Sequence, residues 1–367
     1  MIYQILIDRF NGGWTTPPQN ANAFLGGTLK GITEKLDYIQ SLGATYIWLS
    51  PFFKTDAYHG YHTTDYEQID PHFGTWDDLS DLINAAHNKG IRVMADFVPN
   101  HCHASHPFFQ DAIQNPSISK YRKWFCFENQ STPDCLCFYG YPELPKFNLT
   151  NPETAAYFIA VGERLSRMGI DGFRIDHAVG LPFSFLRDFK KRMHALNPDA
   201  IVIGEVWAVN MPHRFFNAVY FRSFWHKIYY WLFGTKQECI QFDYHDVLDG
   251  VLDFEFQGLL VDELKAGRRL QNNELLAKKL KRHFARYSTS DFQPFLFLDN
   301  HDMDRFLYHC KGDTSLLEEA IGIMKQSGMP YIIYYGTEKG MYNTATIVNA
   351  EPYADLRVRE PMDWSEK

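Results

Sequence analysis

The chain has 367 residues, 45% hydrophobic and 22% charged, enough for one large α/β domain or two modest ones, and core size is not limiting. Lys and Arg number 36 against 44 Asp and Glu, a formal charge of −8, which argues against a nucleic-acid or anionic-membrane partner. Aromatic residues at 16% leave many rings to place, most of them in the core.

Met1 runs straight into the apolar stretch Ile2 to Ile7 without a basic leader or a small-residue cleavage site, so the expected location is cytoplasmic. Short apolar, β-branched runs then recur along the chain. They are Ile2 to Ile7, Thr45 to Leu49, Ile91 to Asp96, Gly172 to Asp176, Ile201 to Glu205, Val251 to Phe254, Pro294 to Leu298 and Tyr331 to Tyr335. Between them lie amphipathic helices with readable ends. Thr75 and Asp78 form a capping box ahead of Leu79, Leu82, Ile83 and Ala86. Asn151 and Pro152 open another helix, which runs through Ile159 and Leu165 to Gly169. The most aromatic segment, Arg214 to Gly234, is broken by Arg222, His226 and Lys227 and does not read as a membrane span.

Continuous apolar strands alternating with helices predict a parallel sheet covered on both faces, and eight of them favour a closed (β/α)8 TIM barrel over an open sheet. The Gly-x-Gly-x-x-Gly turn of a dinucleotide-binding fold is absent. The long connection after the third strand is read as a small inserted subdomain, residues 102–146, within a barrel formed by residues 1–101 and 147–350. Cys102, Cys126, Cys135 and Cys137 crowd that insertion. Their spacing fits no paired zinc module, so packed thiols are favoured over a zinc site or two disulfides.

Polar residues stand at the carboxyl ends of the strands: Asp96 with Asn100 and His101, Arg174 with Asp176 and His177, Glu205, and the run Asp299 to Asp302. A lone acid there is more often a helix cap or a rim salt bridge. Four strand ends carrying such groups converge on one cleft, and crowded carboxylates that raise one another's pKa cost stability without a functional return. Carboxylates and histidines without a Ser-His or Cys-His pair suit glycosidic cleavage, which needs one acid to protonate the leaving oxygen and one carboxylate to attack the anomeric carbon.

On these residues the chain resembles the α-amylase family of glycoside hydrolases. The family's blocks appear in order as Asp96-Phe97-Val98-Pro99-Asn100-His101, Gly172-Phe173-Arg174-Ile175-Asp176, Gly204-Glu205-Val206-Trp207 and Leu298-Asp299-Asn300-His301-Asp302. Flanking stretches agree, including His59-Gly60-Tyr61, Ile69-Asp70-Pro71-His72-Phe73-Gly74 and Gly328-Met329-Pro330. The resemblance implies Asp176 as nucleophile, aimed by Arg174, Glu205 as acid and then base, and Asp302 as support for the oxocarbenium-like charge. It further implies that His101 and His301 hydrogen-bond sugar hydroxyls and that Tyr61 stacks beneath the sugar ring, with Asp96 supporting the site from behind. Trp207 fits a stacking platform on the leaving side, and Arg357 resembles a basic residue the family sets against bound sugar. The α-anomer should be retained, with the Asp176 and Glu205 carboxyls about 5 to 5.5 Å apart.

The implied function is cleavage of α-1,4-glucosidic bonds in starch-like glucans or maltooligosaccharides, with no cofactor needed for the chemistry. A transglycosylase or a cyclodextrin- or oligosaccharide-degrading relative is the nearest alternative. A non-catalytic barrel used for binding or scaffolding belongs to another class, and it would predict loss of at least one of the three acids. Many family members hold calcium between barrel and insertion through an Asn at the position of Asn100, and here a calcium ligand and a metal-free loop brace are equal readings for that residue. Residues 351–367 are expected to end without the eighth barrel helix or the β-sandwich domain the family usually adds; an uncovered eighth strand would expose apolar surface, so a shortened chain, an unusual closure or help from a partner subunit is expected.

Overall fold

In the computed structural model, which describes residues 1–12, 23–128, 134–208, 211–288, 290–348, 350 and 352–365, the predicted strands all form and lie parallel. They are β1 (Ile2–Ile5), β2 (Tyr46–Leu49), β3 (Arg92–Phe97), β4 (Gly172–Ile175), β5 (Ile201–Gly204), β6 (Gly250–Leu252), β7 (Gln293–Phe295) and β8 (Ile332–Tyr334). Each pairs with its sequence neighbour, and β8 pairs back onto β1. The last seam, β7 to β8, is a parallel bridge between Leu296 and Tyr331, with the Leu296 amide donating to Pro330 O at 2.9 Å and the Ile332 amide to Leu296 O at 2.8 Å. The ring is therefore closed, a (β/α)8 barrel.

Alternation along the strands separates two cores. Ile2, Trp48, Met94, Ile203, Leu252, Phe295 and Ile332 fill the barrel interior. Tyr3, Ile47, Val93, Phe173, Val202 and Ile333 face outward and bury against helices, including Leu79, Leu82 and Ile83 of helix Trp76–Asn88. Full burial of such a side chain contributes roughly 1.5 to 3 kcal/mol relative to exposure. The Thr75/Asp78 capping box opens helix Trp76–Asn88, and the Asn151 carboxamide caps helix Pro152–Arg167 by accepting from the Glu153 and Thr154 amides. In that second helix Gly162 is needed for close approach, because a Cβ there would lie 2.5 Å from the Phe189 ring of helix Phe183–Leu196.

Two features were not predicted. An antiparallel pair, Phe53–Thr55 with Thr63–Ile69, rises above β2 in sequence and carries Tyr61 in its connection. In the stretch 102–146, of which 129–133 lie outside the described residues, a helix Pro107–Gln114 and a 3-10 turn Lys120–Trp124 stand on a cluster of Phe109, Phe125, Phe127 and Phe147. This stretch returns to the barrel through a bridge between His101 and Lys146.

The eighth strand is covered by an unusual closure, one of the three readings of this segment. Of segment 351–367, residues 351, 366 and 367 lie outside the described set, and the rest crosses the barrel and covers β8. The Tyr334 hydroxyl donates to Val358 O at 3.1 Å, the Tyr335 hydroxyl to Glu360 O at 2.6 Å, and the Met362 amide to Arg9 O at 2.8 Å. Trp364 packs edge-on against Phe10 and Tyr38, and its indole N–H reaches Phe10 O at 2.6 Å. After β8 the described residues form two 3-10 turns and no further α-helix.

Candidate active site

The carboxyl ends of β3, β4 and β5 meet around one guanidinium. Arg174 lies on β4, fully buried, and Asp176, just past the strand's end and two residues on, continues the same face. Its Nη1 donates to Asp96 Oδ1 and to Asp176 Oδ1, both at 2.8 Å, and its Nη2 lies 3.0 Å from Glu205 Oε1. Asp96, on β3, spends its second oxygen on the Tyr61 hydroxyl at 2.8 Å and the Trp48 indole N–H at 3.1 Å. Asp176 Oδ2 is buried and has no hydrogen-bond partner, in a residue that lines the cleft. Glu205 Oε2 accepts from the His177 amide at 2.9 Å, and His177 reaches that position with left-handed backbone, φ 43°, a strained conformation for a residue with a Cβ.

The electrostatics follow from that crowding. Burial raises the Asp176 pKa well above the usual carboxylate range, with Arg174 opposing and Glu205 reinforcing the shift. Burial also raises Glu205, opposed by Arg174 and reinforced by Asp302. Both carboxyls lie against the same buried guanidinium, and burial holds each above its usual range.

Asp302 follows β7 and behaves differently. Burial alone would raise it, but the charges of His301 and Arg359 outweigh that and hold its carboxyl below the usual range. Arg359 Nη2 donates to Oδ1 at 2.9 Å, and His301 Nε2 lies 3.0 Å from Oδ2. The Asp302 side chain keeps 33% exposure, so water screens these pairs more than those at Arg174. His301 is fixed from below, its Nδ1 2.8 Å from the Gln4 amide nitrogen and its ring stacked on Tyr61 at 5.1 Å and 9°. In the same run, Asp299 accepts from the Phe306 amide and the Thr337 hydroxyl, at 2.8 and 2.7 Å, and is structural.

These groups line a cleft of about 650 Å³, within the usual range for small-molecule sites. Asp176, Glu205, Asp302, Tyr61, His101, His301 and Trp207 all border it. His101 stacks on Phe138 at 4.6 Å, and burial, with His62 and Lys146 adding to it, pushes its pKa down to about 3, so it stays neutral. Trp207 is 39% exposed and lies flat on Phe254, centroids 5.1 Å apart. Arg357 is placed elsewhere. Its Nη1 donates to Thr346 O at 2.8 Å, and Arg359, two residues further on, enters the cleft in its place.

Residues the sequence did not single out also shape the cleft. Tyr58 pairs with Arg359 at 3.2 Å, while Tyr139, at φ 45°, meets His177 and Phe215 edge-on. His59 precedes Tyr61 in a quoted motif and was the one such residue with a local signal. The thiols of Cys102, Cys126, Cys135 and Cys137 are free, burial raises the pKa of each, and no group of acid, His or Cys ligands fit for a metal exists among the described residues.

Asn100 does not offer a calcium cage. Its Oδ1 accepts from the Lys146 ammonium at 2.5 Å, and the same ammonium donates to Gly180 O. A site holding one carboxamide, one peptide oxygen, a lysine and no carboxylate does not fit a hard dication.

A family model for the α-amylase catalytic domain matches residues 4–367. The chain is 34% identical over 369 residues to alpha-amylase 2 of Dictyoglomus thermophilum, covering 100% of this chain and 59% of that protein. It is 33% identical to a cyclomaltodextrinase of Thermoanaerobacter pseudethanolicus, covering 93% of this chain and 57% of that protein. Among solved structures, a cyclomaltodextrinase superposes with a TM-score of 0.79 at 29% identity, over 100% of this chain and 59% of that one. The alpha-amylase of Geobacillus thermoleovorans, solved with acarbose, superposes at 0.77 with 28% identity, over 100% of this chain and 74% of that one. The chain thus spans about three fifths of the length of the curated relatives it matches.

Proposed function

Because this chain belongs to the α-amylase family of glycoside hydrolases, we propose that it cleaves α-1,4-glucosidic bonds of maltooligosaccharides or starch-like glucans with retention of the α-anomer. One observation carries the reading. Arg174 occupies Asp176 Oδ1 and leaves the buried Oδ2 without a partner, at the wall of a cleft that Glu205 also borders.

The reaction needs Asp176 ionised and a proton on Glu205, and the charged hydrogen bond that Arg174 Nη1 donates to Asp176 Oδ1 favours that placement against the burial that raises both carboxyls. In the first step Asp176 Oδ2 attacks the anomeric carbon as Glu205 gives its proton to the departing glycosidic oxygen, forming a glycosyl ester. In the second, Glu205 takes a proton from water, whose oxygen displaces the Asp176 carboxylate from the same carbon, and the two inversions sum to retention. Asp302, held below the usual carboxylate range by Arg359 and its contact with His301, faces the positive charge that develops on the sugar. Neutral His101, with His301, offers ring nitrogens to hydroxyls, and Tyr61 and Trp207 offer ring faces. No metal or organic cofactor enters these steps, and a cytoplasmic location accords with a Bacillus subtilis relative named an intracellular maltogenic amylase.

Cyclic or short maltooligosaccharides, or transfer to a sugar acceptor, form the second reading, supported by the relatives named cyclomaltodextrinase and maltogenic amylase. The test is to follow maltoheptaose and β-cyclodextrin digestion by NMR beside an Asp176→Asn control. The α-anomer should appear first, and the control should be inert. Initial release of the β-anomer contradicts retention, full activity in the control contradicts the nucleophile, and no turnover of any α-glucan favours the scaffold reading.

A further inference from the structure

Lys146 is 3% exposed, and no carboxylate pairs with it among the described residues. An ammonium without a counter-charge is expensive to bury, and such groups persist where they hold something in place. Its backbone belongs to the inserted stretch: the Lys146 amide donates to Leu136 O at 2.8 Å, and its carbonyl accepts from the Cys126 amide at 3.0 Å. Its side chain leaves that stretch and ends in the barrel. There it bonds Asn100 Oδ1, beyond β3, and Gly180 O, beyond β4, with the Tyr220 ring centroid 5.8 Å away.

The two acceptors are neutral oxygens of the kinds that line sites for hard cations. They are also forced together. A Cβ on Gly180 would stand 2.3 Å from Asn100 Oδ1, so only glycine lets this peptide approach so closely. The loops they belong to carry His101 on one side and, on the other, His177, whose amide holds Glu205.

We propose that the Lys146 ammonium is the resident cation of the junction between barrel and inserted stretch, doing with a covalently attached charge what a bound metal would otherwise do. The junction therefore holds without calcium. Lys146 acts as a positioning residue, since it sets the two loops that present His101 and the His177 amide and touches no reacting atom.

The test is thermal unfolding of the full chain in excess EDTA and in excess calcium, for the wild type, Lys146→Met and Lys146→Asp. The wild type should melt at the same temperature in both. Lys146→Met keeps the apolar stem and strands two acceptors, and should melt about 5 °C lower in both conditions. Lys146→Asp puts a carboxylate beside Asn100 Oδ1 and Gly180 O, with room for a metal between them, and should gain stability only when calcium is added. A purely structural lysine would not confer that gain.

A wild-type melting temperature that falls in EDTA and returns with calcium overturns the proposal. So does a Lys146→Met chain as stable as the wild type, or a folded Lys146→Asp chain that ignores calcium. If neither variant folds, the wild-type comparison decides alone.

Discussion

The floor and the rim of the cleft each set guanidinium against carboxylate, yet they do so with opposite results. At the floor Arg174 is fully buried among Asp96, Asp176 and Glu205, and one cation serves three acids. Charge is short there, the guanidinium is sealed from solvent, and burial raises the Asp176 and Glu205 carboxyls above their usual range. At the rim Asp302 meets Arg359, which it shares with Asp355, and lies 3.0 Å from His301 Nε2; it remains partly wet, and these partners hold its carboxyl below the usual range. Guanidinium against carboxylate thus leaves the acids raised where three of them crowd one sealed cation, and lowered where the acid keeps contact with water and has a His301 contact besides.

The most damaging way to break this contrast is to remove the floor's cation. Arg174→Met leaves three buried carboxylates facing one another, and it should cost about 3 to 5 kcal/mol in denaturant unfolding together with nearly all activity. A midpoint close to the wild type would mean that the acids are already neutral without Arg174.

Glu205→Gln should lower kcat on maltoheptaose about 10²- to 10⁴-fold. It should spare far more activity on α-maltosyl fluoride, whose leaving group needs no proton. Stability sharpens the same point. A carboxyl with a raised folded pKa contributes stability that is full below the unfolded value, about 4, and lost as pH rises through the folded value. The Glu205→Gln chain should therefore gain on the wild type in melting temperature as pH climbs from about 4 towards neutrality. Equal melting curves across that range would contradict the raised pKa.

At the rim, Arg359→Met should lower kcat roughly 10- to 100-fold. It should also move the acid limb of the pH-rate profile upward. Asp302 is depressed in the folded chain, so its stabilising pairs are present above the unfolded value of about 4 and are lost as pH falls through the folded one. Without Arg359 burial dominates, and Asp302 protonates at higher pH. An unmoved acid limb would show that Asp302 does not need Arg359 to stay charged. The smallest change is expected of Trp207→Ala, a several-fold rise in KM for maltoheptaose with little change in kcat, as befits one stacking face worth about 1 kcal/mol.

The floor was legible in the sequence and much of the rim was not. Arg174 and Asp176 are two apart on one strand, so their shared face follows from the strand's period of two, and Asp96 and Glu205 end neighbouring strands. Arg359 meets Asp302 across 57 residues of intervening chain, from an irregular segment with no period to read. Leu356-Arg357-Val358-Arg359 offers two arginines, and only the 3-10 turn of Ala354–Val358 decides which one enters the cleft. Each predicted strand was found because its apolar run is continuous. The cover over β8 was not, because irregular chain makes it, accepting at the Val358 and Glu360 carbonyls from the Tyr334 and Tyr335 hydroxyls and docking through the Trp364 indole. Asn100 shows the same limit. Its side chain was read equally as a calcium ligand and as a metal-free loop brace, and the partner it meets is Lys146, on the far side of an insertion.

The central claim is that the unpartnered Asp176 Oδ2 forms the bond to sugar. The most direct measurement is mass spectrometry of peptides from the chain after reaction with a fluorine-deactivated α-glucosyl fluoride, which slows the second step and lets the ester accumulate. The label should sit on the peptide carrying Asp176 and disappear in Asp176→Asn. A label on Glu205 or Asp302, or rapid turnover with inverted product and no labelled peptide, would contradict the account.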